Sequence, residues 1–114
     1  MLHPTDAPRL AHVTQSLQGT SGPIIASTDY MRTYAEQIRA FMPKGRTYKV
    51  LGTDGFGRSD SREKLREFFE VNRYYVAIAA LKALADEGTI SASVVAQAIA
   101  KYGIDANKPN PVTQ

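Results

Sequence analysis

Two short apolar runs, Pro23-Ile24-Ile25-Ala26-Ser27 and Tyr48-Lys49-Val50-Leu51-Gly52, stand on either side of a segment with helical spacing. Each run is too short for a helix, so each reads as a buried strand, the first led in by proline. Between them Met31, Tyr34, Ala35, Ile38 and Phe41 (or Met42) recur on one helical face, with Thr28 or Asp29 as N-cap and Pro43 as the stop. Strand, helix and strand joined by short connections make a βαβ unit. Such a unit holds two parallel strands, and a parallel sheet needs cover on both faces.

Helices are in ample supply to provide that cover. Leu10, Val13 and Leu17 predict one over Ala7 to Gln18, opened by Pro8 and stopped by Gly19. Asp60 with Glu63 reads as a capping box for a helix that turns Leu65, Phe68 and Phe69 inward. Asn72 caps the next, which runs through Tyr75, Val76, Ile78, Ala79, Leu81 and Leu84 to Gly88. Because it is apolar on most of its circumference, it predicts a contact beyond a single sheet face. A last helix opens at Ser91, sets Val94, Val95, Ala98, Ile99 and Tyr102 on one side, and ends at Gly103; residues 104–114 read as an extended tail. So many helices against two strands are out of proportion for a doubly wound sheet, which usually holds four or more strands. The expected architecture is an α/β fold over 1–114 that is only part of a domain.

Composition narrows the chemistry. With 114 residues, 43% of them hydrophobic, there is material for one small domain and its core. The absence of cysteine removes disulfides, thiolate metal sites and a thiol nucleophile, and agrees with the cytoplasm as location. The apolar run from Val76 to Ala85 is interrupted by Lys82, so no membrane span is expected. The first residues, Met1-Leu2-His3-Pro4, lack the basic and apolar regions of a secretory signal. A net charge of +3 hints at nucleic acid, but its distribution weakens the idea. Lys44, Arg46 and Lys49 form one modest patch, and Arg62, Lys64 and Arg66 alternate with Glu63 and Glu67 as on a solvated helix face. No nucleic-acid partner is expected.

The most distinctive string is Gly52-Thr53-Asp54-Gly55-Phe56-Gly57-Arg58-Ser59-Asp60, between a strand's carboxyl end and a helix's amino end. Ligands of open α/β sheets bind at such places, where glycines admit a phosphate to backbone amides. Asp54, Gly55, Gly57, Arg58 and Ser59 are therefore candidates for holding a phosphate-bearing metabolite. The spacing matches neither the dinucleotide nor the P-loop fingerprint, and a structural reading is favoured. On that reading Gly55 and Gly57 take positive φ, Phe56 anchors the loop in an apolar pocket, and Asp54 pairs with Arg58.

Other residue types carry less. His3 and His12 are not spaced to share a metal, and neither has a catalytic partner at recognisable spacing. Asp29 lies at the same sheet edge as Asp54, so the two could share a proton or a divalent cation; capping is the simpler role for Asp29. Arg73, Tyr74 and Tyr75 could stack on bases, yet no alternation of the kind used by RNA-binding sheets surrounds them, and packing accounts for them.

Four strings together carry a resemblance. Met1-Leu2-His3-Pro4, Thr28-Asp29-Tyr30-Met31, the run from Leu51 to Arg62 and the run Ala98-Ile99-Ala100-Lys101-Tyr102-Gly103-Ile104-Asp105 resemble the carboxyl-terminal end of the decarboxylating component of bacterial pyruvate dehydrogenase complexes, in its homodimeric single-chain form. The Asp-Gly-Phe-Gly core is also similar to the loop of transketolase-type domains. The resemblance implies a transketolase carboxyl-terminal fold, a short and mostly parallel sheet flanked by helices, whose role is structural support and dimer contact. It further implies an oxidoreductase that uses thiamin diphosphate and Mg²⁺, decarboxylates pyruvate, and acetylates lipoyl groups of a dihydrolipoyl acyltransferase core. In that family the cofactor lies on the preceding domains, and their motifs do not occur here. No catalytic, cofactor or metal residue is carried over, and the segment alone is expected to be inert and to bind none of these. Met1 would then be an internal methionine or a separate start, with further strands upstream.

Overall fold

A computed structural model describes residues 1–114. Its centre is the βαβ unit. Strand β1 (Ile24–Ser27) runs parallel to β2 (Tyr48–Leu51) in a two-stranded sheet, with Ile24 opposite Tyr48 and Ser27 opposite Leu51. Tyr48 and Val50 are buried, Val50 to 3% exposure, while Lys49 between them is exposed; this is the period of two that a pleated strand imposes.

Helix α1 (His12–Gln18) precedes the sheet and α2 (Arg32–Glu36) joins its strands, followed by a 3₁₀ turn at Arg39–Phe41. Helix α1 is shorter than its apolar spacing predicts. Its N-cap is Ala11, which offers no side-chain acceptor, and residues 1–10 are all exposed, so no packing extends the helix further upstream. Helix α2 is also curtailed, and neither Thr28 nor Asp29 caps it. Thr28 Oγ1 accepts from the Tyr30 amide in a local turn (3.1 Å), and the Asp29 carboxylate is taken by Arg66. The acceptor for the first helical amide comes instead from Asp54, whose Oδ2 lies 3.2 Å from Arg32 N.

Helix α3 (Arg62–Phe68) starts one residue later than the capping-box reading places it. Ser61 is the N-cap and accepts from Lys64 N, while Asp60 accepts from the Ser61 amide. Helix α4 (Arg73–Asp86) is capped by Asn72 through the amides of Tyr74 and Tyr75, and it ends at Gly88 with φ +77°. Helix α5 (Ala92–Lys101) is capped by Ser91 and closed by Gly103 at φ +66°. As its apolar circumference requires, α4 packs against α5 and across both strands. Its one buried residue is Ala83, and the other apolar side chains are half covered.

Residues 104–114 are not the extended tail that their prolines suggest. Asp105 closes a turn by accepting from Asn107 N, Asn110 accepts from Val112 N, and Pro111–Thr113 form a 3₁₀ turn with Pro111 buried. The tail is thus folded back onto the body.

The molecule as a whole is open. Its accessible surface is 8399 Å², against about 6,200 Å² for a compact monomer of this mass. The radius of gyration is 17.0 Å, where about 13 Å is usual for this length. Only six of the 114 residues are buried. The face that α2 should bury is bare instead: Met31, Tyr34, Ile38 and Phe41 are all exposed. No helix is long and apolar enough to cross a membrane.

Candidate functional site

The two loops that leave the carboxyl ends of β1 and β2 lie side by side. Thr53 ties them, its amide donating to Tyr30 O (2.9 Å) and its hydroxyl to Asp29 O (3.1 Å). Arg32 adds a third tie, its Nε donating to Asp54 Oδ2 at 2.8 Å. Asp54 therefore pairs with Arg32 and not with Arg58, because only the former spans the two loops and offers both a guanidinium and a free helix amide. Arg58 lies over the ring of Phe68, its Cζ 4.0 Å from the centroid.

Gly55 does adopt a positive φ, +125°, and a Cβ there would meet Pro111 O at 2.6 Å. Gly57 has no positive φ and no neighbour within reach of a Cβ, so no backbone need is visible for glycine there. Phe56 is not buried in a pocket. It is 74% exposed, because the loop is held from behind by Pro111 and turns this ring outward.

This geometry is ill suited to the phosphate cradle that Asp54, Gly55, Gly57, Arg58 and Ser59 were candidates for. The tail covers the loop at Gly55, Arg58 is stacked on Phe68, and Asp60 stands at the mouth of α3 where an anion would sit. Only a shallow hollow of about 210 Å³ lies there, between Arg58, Ser59, Asp60, Lys64, Leu65 and Phe68. The proposed meeting of Asp29 and Asp54 fails for an equally simple reason: each carboxylate has its own arginine. Arg66 donates to Asp29 at 3.0 and 2.5 Å, and these hydrogen bonds hold its carboxyl below the usual carboxylate range. No three acidic or imidazole side chains gather as a metal site would need. His3 faces only Asp6 at 3.9 Å and His12 is exposed on α1.

A larger cleft of about 970 Å³ opens beside β1, lined by Thr28, Asp29, Arg66, Asn72, Tyr74 and Tyr102 among others. Tyr74 packs on Tyr102 with ring centroids 5.0 Å apart, which is the packing role read from the sequence. Cationic and acidic side chains alternate around this cleft, much of the charge already paired.

Several residues that organise the region carry no signal in the sequence, because their partners are distant along the chain. Lys108 donates to Phe68 O (2.7 Å) and Glu70 Oε1 (3.2 Å), and its ammonium lies 5.0 Å from the Phe68 ring. That one side chain fastens the tail to the end of α3. Glu70 is the only non-glycine residue with positive φ, +62°, where it closes α3 with Val71 N bonded to Arg66 O. A side chain in that conformation costs about 1 kcal/mol relative to glycine, and a half-exposed ion pair returns less than that. The expected order of stability is therefore Glu70→Gly above the parent and Glu70→Ala below it, read from urea midpoints. Glu70→Ala at or above the parent would mean that the Lys108 pair contributes nothing.

A parallel βαβ unit with helices packed on it and paired loops at its carboxyl edge defines the class: a small α/β domain. Comparison with known proteins agrees. Residues 6–72, more than half of the chain, match the family described as the transketolase-like TK C-terminal domain, and the chain belongs to that family. It is 66% identical over 113 residues to a protein named pyruvate dehydrogenase E1 component from Cupriavidus necator, covering 99% of this chain. Proteins of the same name from Pseudomonas aeruginosa and Escherichia coli are 63% and 55% identical over 111 residues, 97% of this chain. In each case the chain spans 12% of the relative's length.

Proposed function

We propose that the chain serves as the carboxyl-terminal structural and dimer-contact part of a pyruvate dehydrogenase decarboxylating component. The observation that carries this reading is 66% identity along 99% of the chain to a relative of which it makes up only 12%. The physical state of the chain supports it. A unit with an accessible surface of 8399 Å² and a bare helix face has surface to be covered by further polypeptide.

On this reading the whole enzyme is a cytoplasmic homodimer that decarboxylates pyruvate with thiamin diphosphate and Mg²⁺ and hands the acetyl group to the lipoyl arm of a dihydrolipoyl acyltransferase. The residues present here do not fit that cofactor. A diphosphate with its cation needs free oxygen ligands, whereas Asp29 and Asp54 are bonded to Arg66 and Arg32, and the loop at Gly55 is closed by Pro111. The contribution of this segment is thus to shape and hold, and no catalytic residue is assigned to it.

The test is a pyruvate decarboxylation assay on the 114-residue chain with thiamin diphosphate and Mg²⁺ supplied. No turnover above the protein-free blank is expected. Turnover that scales with protein concentration would refute the assignment of a purely structural role.

A further inference from the structure

We infer that Asp54–Gly55 is a latent site of covalent modification, the rearrangement of its peptide bond to a β-aspartyl linkage, and that Arg32 is the residue that holds it off. Of the six aspartates only Asp54 is followed by glycine. In this reaction the Gly55 nitrogen attacks the carboxyl carbon of Asp54. A new N–Cγ bond forms, the carboxyl in its acid form gives up its hydroxyl, the amide gives up its proton, and one water leaves a five-membered imide. Water then adds back. Opening at Cγ restores aspartate, and opening at the main-chain carbonyl carbon leaves the chain running through the side chain. Nothing is oxidised and the mass does not change. A Cβ on the following residue crowds the attacking nitrogen, so glycine makes this aspartate the most reactive one when the chain is unfolded.

The fold restrains both reacting groups. Asp54 Oδ2 accepts from Arg32 N at 3.2 Å and from Arg32 Nε at 2.8 Å, which engages the carboxyl with the other loop. Ring closure requires it to leave those two donors. Gly55 lies against the tail, where a Cβ would meet Pro111 O at 2.6 Å, so its backbone has little room to turn. Asp60–Ser61 is held by nothing comparable. Both residues are exposed, the carboxylate makes no salt bridge, and its Oδ1 accepts at 2.7 Å from the Ser61 amide, the nitrogen that would attack it. Local chemistry thus ranks Asp54 above Asp60, and the Arg32 tie reverses the order.

Once made, the change locks the loops apart. It adds a methylene to the main chain between residues 54 and 55 and moves the carboxylate onto the α-carbon. Neither the bonds to Arg32 nor the fit of Gly55 against Pro111 can then be remade in their original geometry. The rate in the folded chain follows the fraction of time the tie is open, as for any reaction that needs local unfolding. A tenfold slowing corresponds to an opening free energy of about 1.4 kcal/mol, and hydrogen bonds to a charged group are of that order.

The test ages the chain at neutral pH, in buffer and in concentrated urea, and follows β-aspartate by peptide mapping, with methylation by an isoaspartyl methyltransferase as the second readout. Trypsin places the two aspartates on separate peptides, residues 50–58 and 59–62, so each sample carries its own internal reference. In urea the Asp54 product should form faster than the Asp60 product. In buffer the ratio of the two should fall by about tenfold or more. Arg32→Ala should bring most of that ratio back in buffer. Arg66→Ala, which frees the carboxylate of Asp29 on the other loop, should not. Taking the ratio within one molecule separates release of Asp54 from general unfolding, which circular dichroism of each variant checks independently. A parent whose ratio is the same in buffer and in urea would overturn the inference. So would an Arg32→Ala ratio equal to the parent's, or an Arg66→Ala ratio raised as far as that of Arg32→Ala.

Discussion

Replacing Gly52 by alanine is expected to lower stability by about 3 kcal/mol, a large share of what a small domain has. A Cβ at this position would lie 2.7 Å from Arg32 N, 2.7 Å from Arg32 Cγ and 2.9 Å from Tyr30 O. The arginine side chain can swing away, but the other two atoms are backbone. Making room means driving the start of α2 off the end of β2, and that separates Thr53 N from Tyr30 O and Asp54 from Arg32. Urea unfolding of Gly52→Ala should show the loss directly, beside Gly57→Ala as control, where nothing lies within 4 Å of the added methyl. A Gly52→Ala midpoint equal to that of the control would mean that the two loops yield without cost.

Arg46→Ala should cost about 2 kcal/mol, since hydrogen bonds from a charged donor are among the stronger ones and this side chain makes several. Its Nε donates to Gly22 O at 2.7 Å, Nη1 to Leu17 O at 3.0 Å and Thr20 Oγ1 at 2.7 Å, and Nη2 to Ser21 O at 3.3 Å. The guanidinium holds the whole turn between α1 and β1 by its carbonyls. Two features separate this account from a surface ion pair. Arg46→Lys should recover little, because one ammonium cannot reach a fan of carbonyls, and the loss should barely change with salt, because no carboxylate is involved. Amide exchange across residues 17–24 should speed up in both variants. A lysine variant as stable as the parent would sink this explanation.

Arg46 also shows where reading the chain alone stops. By composition it belongs with Lys44 and Lys49 to a solvated basic patch, and those two are indeed exposed. What sets Arg46 apart is a turn more than twenty residues upstream, and no local pattern reports that. The same holds for Asp54. Its neighbour in sequence, Arg58, is the partner that spacing predicts, while the fold gives it Arg32 and a helix amide to cap. Phe56 is the clearest correction, since an aromatic ring between two glycines was expected to be buried and stands outside instead. Burial depends on what the rest of the fold brings over a residue, and here Pro111 of the folded-back tail fills the place behind the loop.

Other elements were legible because their causes are local. Strands β1 and β2 lie where the apolar runs put them. Asn72 and Ser91 cap their helices through amides two or three residues on, and Gly88 and Gly103 end them with positive φ, all within one turn of chain. At α3 the cap is Ser61, one residue beyond the Asp60 that the capping-box spacing predicts. Helix α2 departed further from expectation because its N-terminal acceptor comes from the neighbouring loop and its apolar face meets no layer in this chain.

By itself, then, the sequence determined the α/β class, the parallel pairing of two strands and the family, because apolar periodicity, caps and a long loop string act over a few residues. The tertiary structure alone decided which arginine neutralises each loop carboxylate, that the tail closes over Gly55, and which aromatic rings are left facing outward. Those outcomes depend on groups far apart in the chain whose meeting is set by the folded backbone and by how much of the fold is there to cover them.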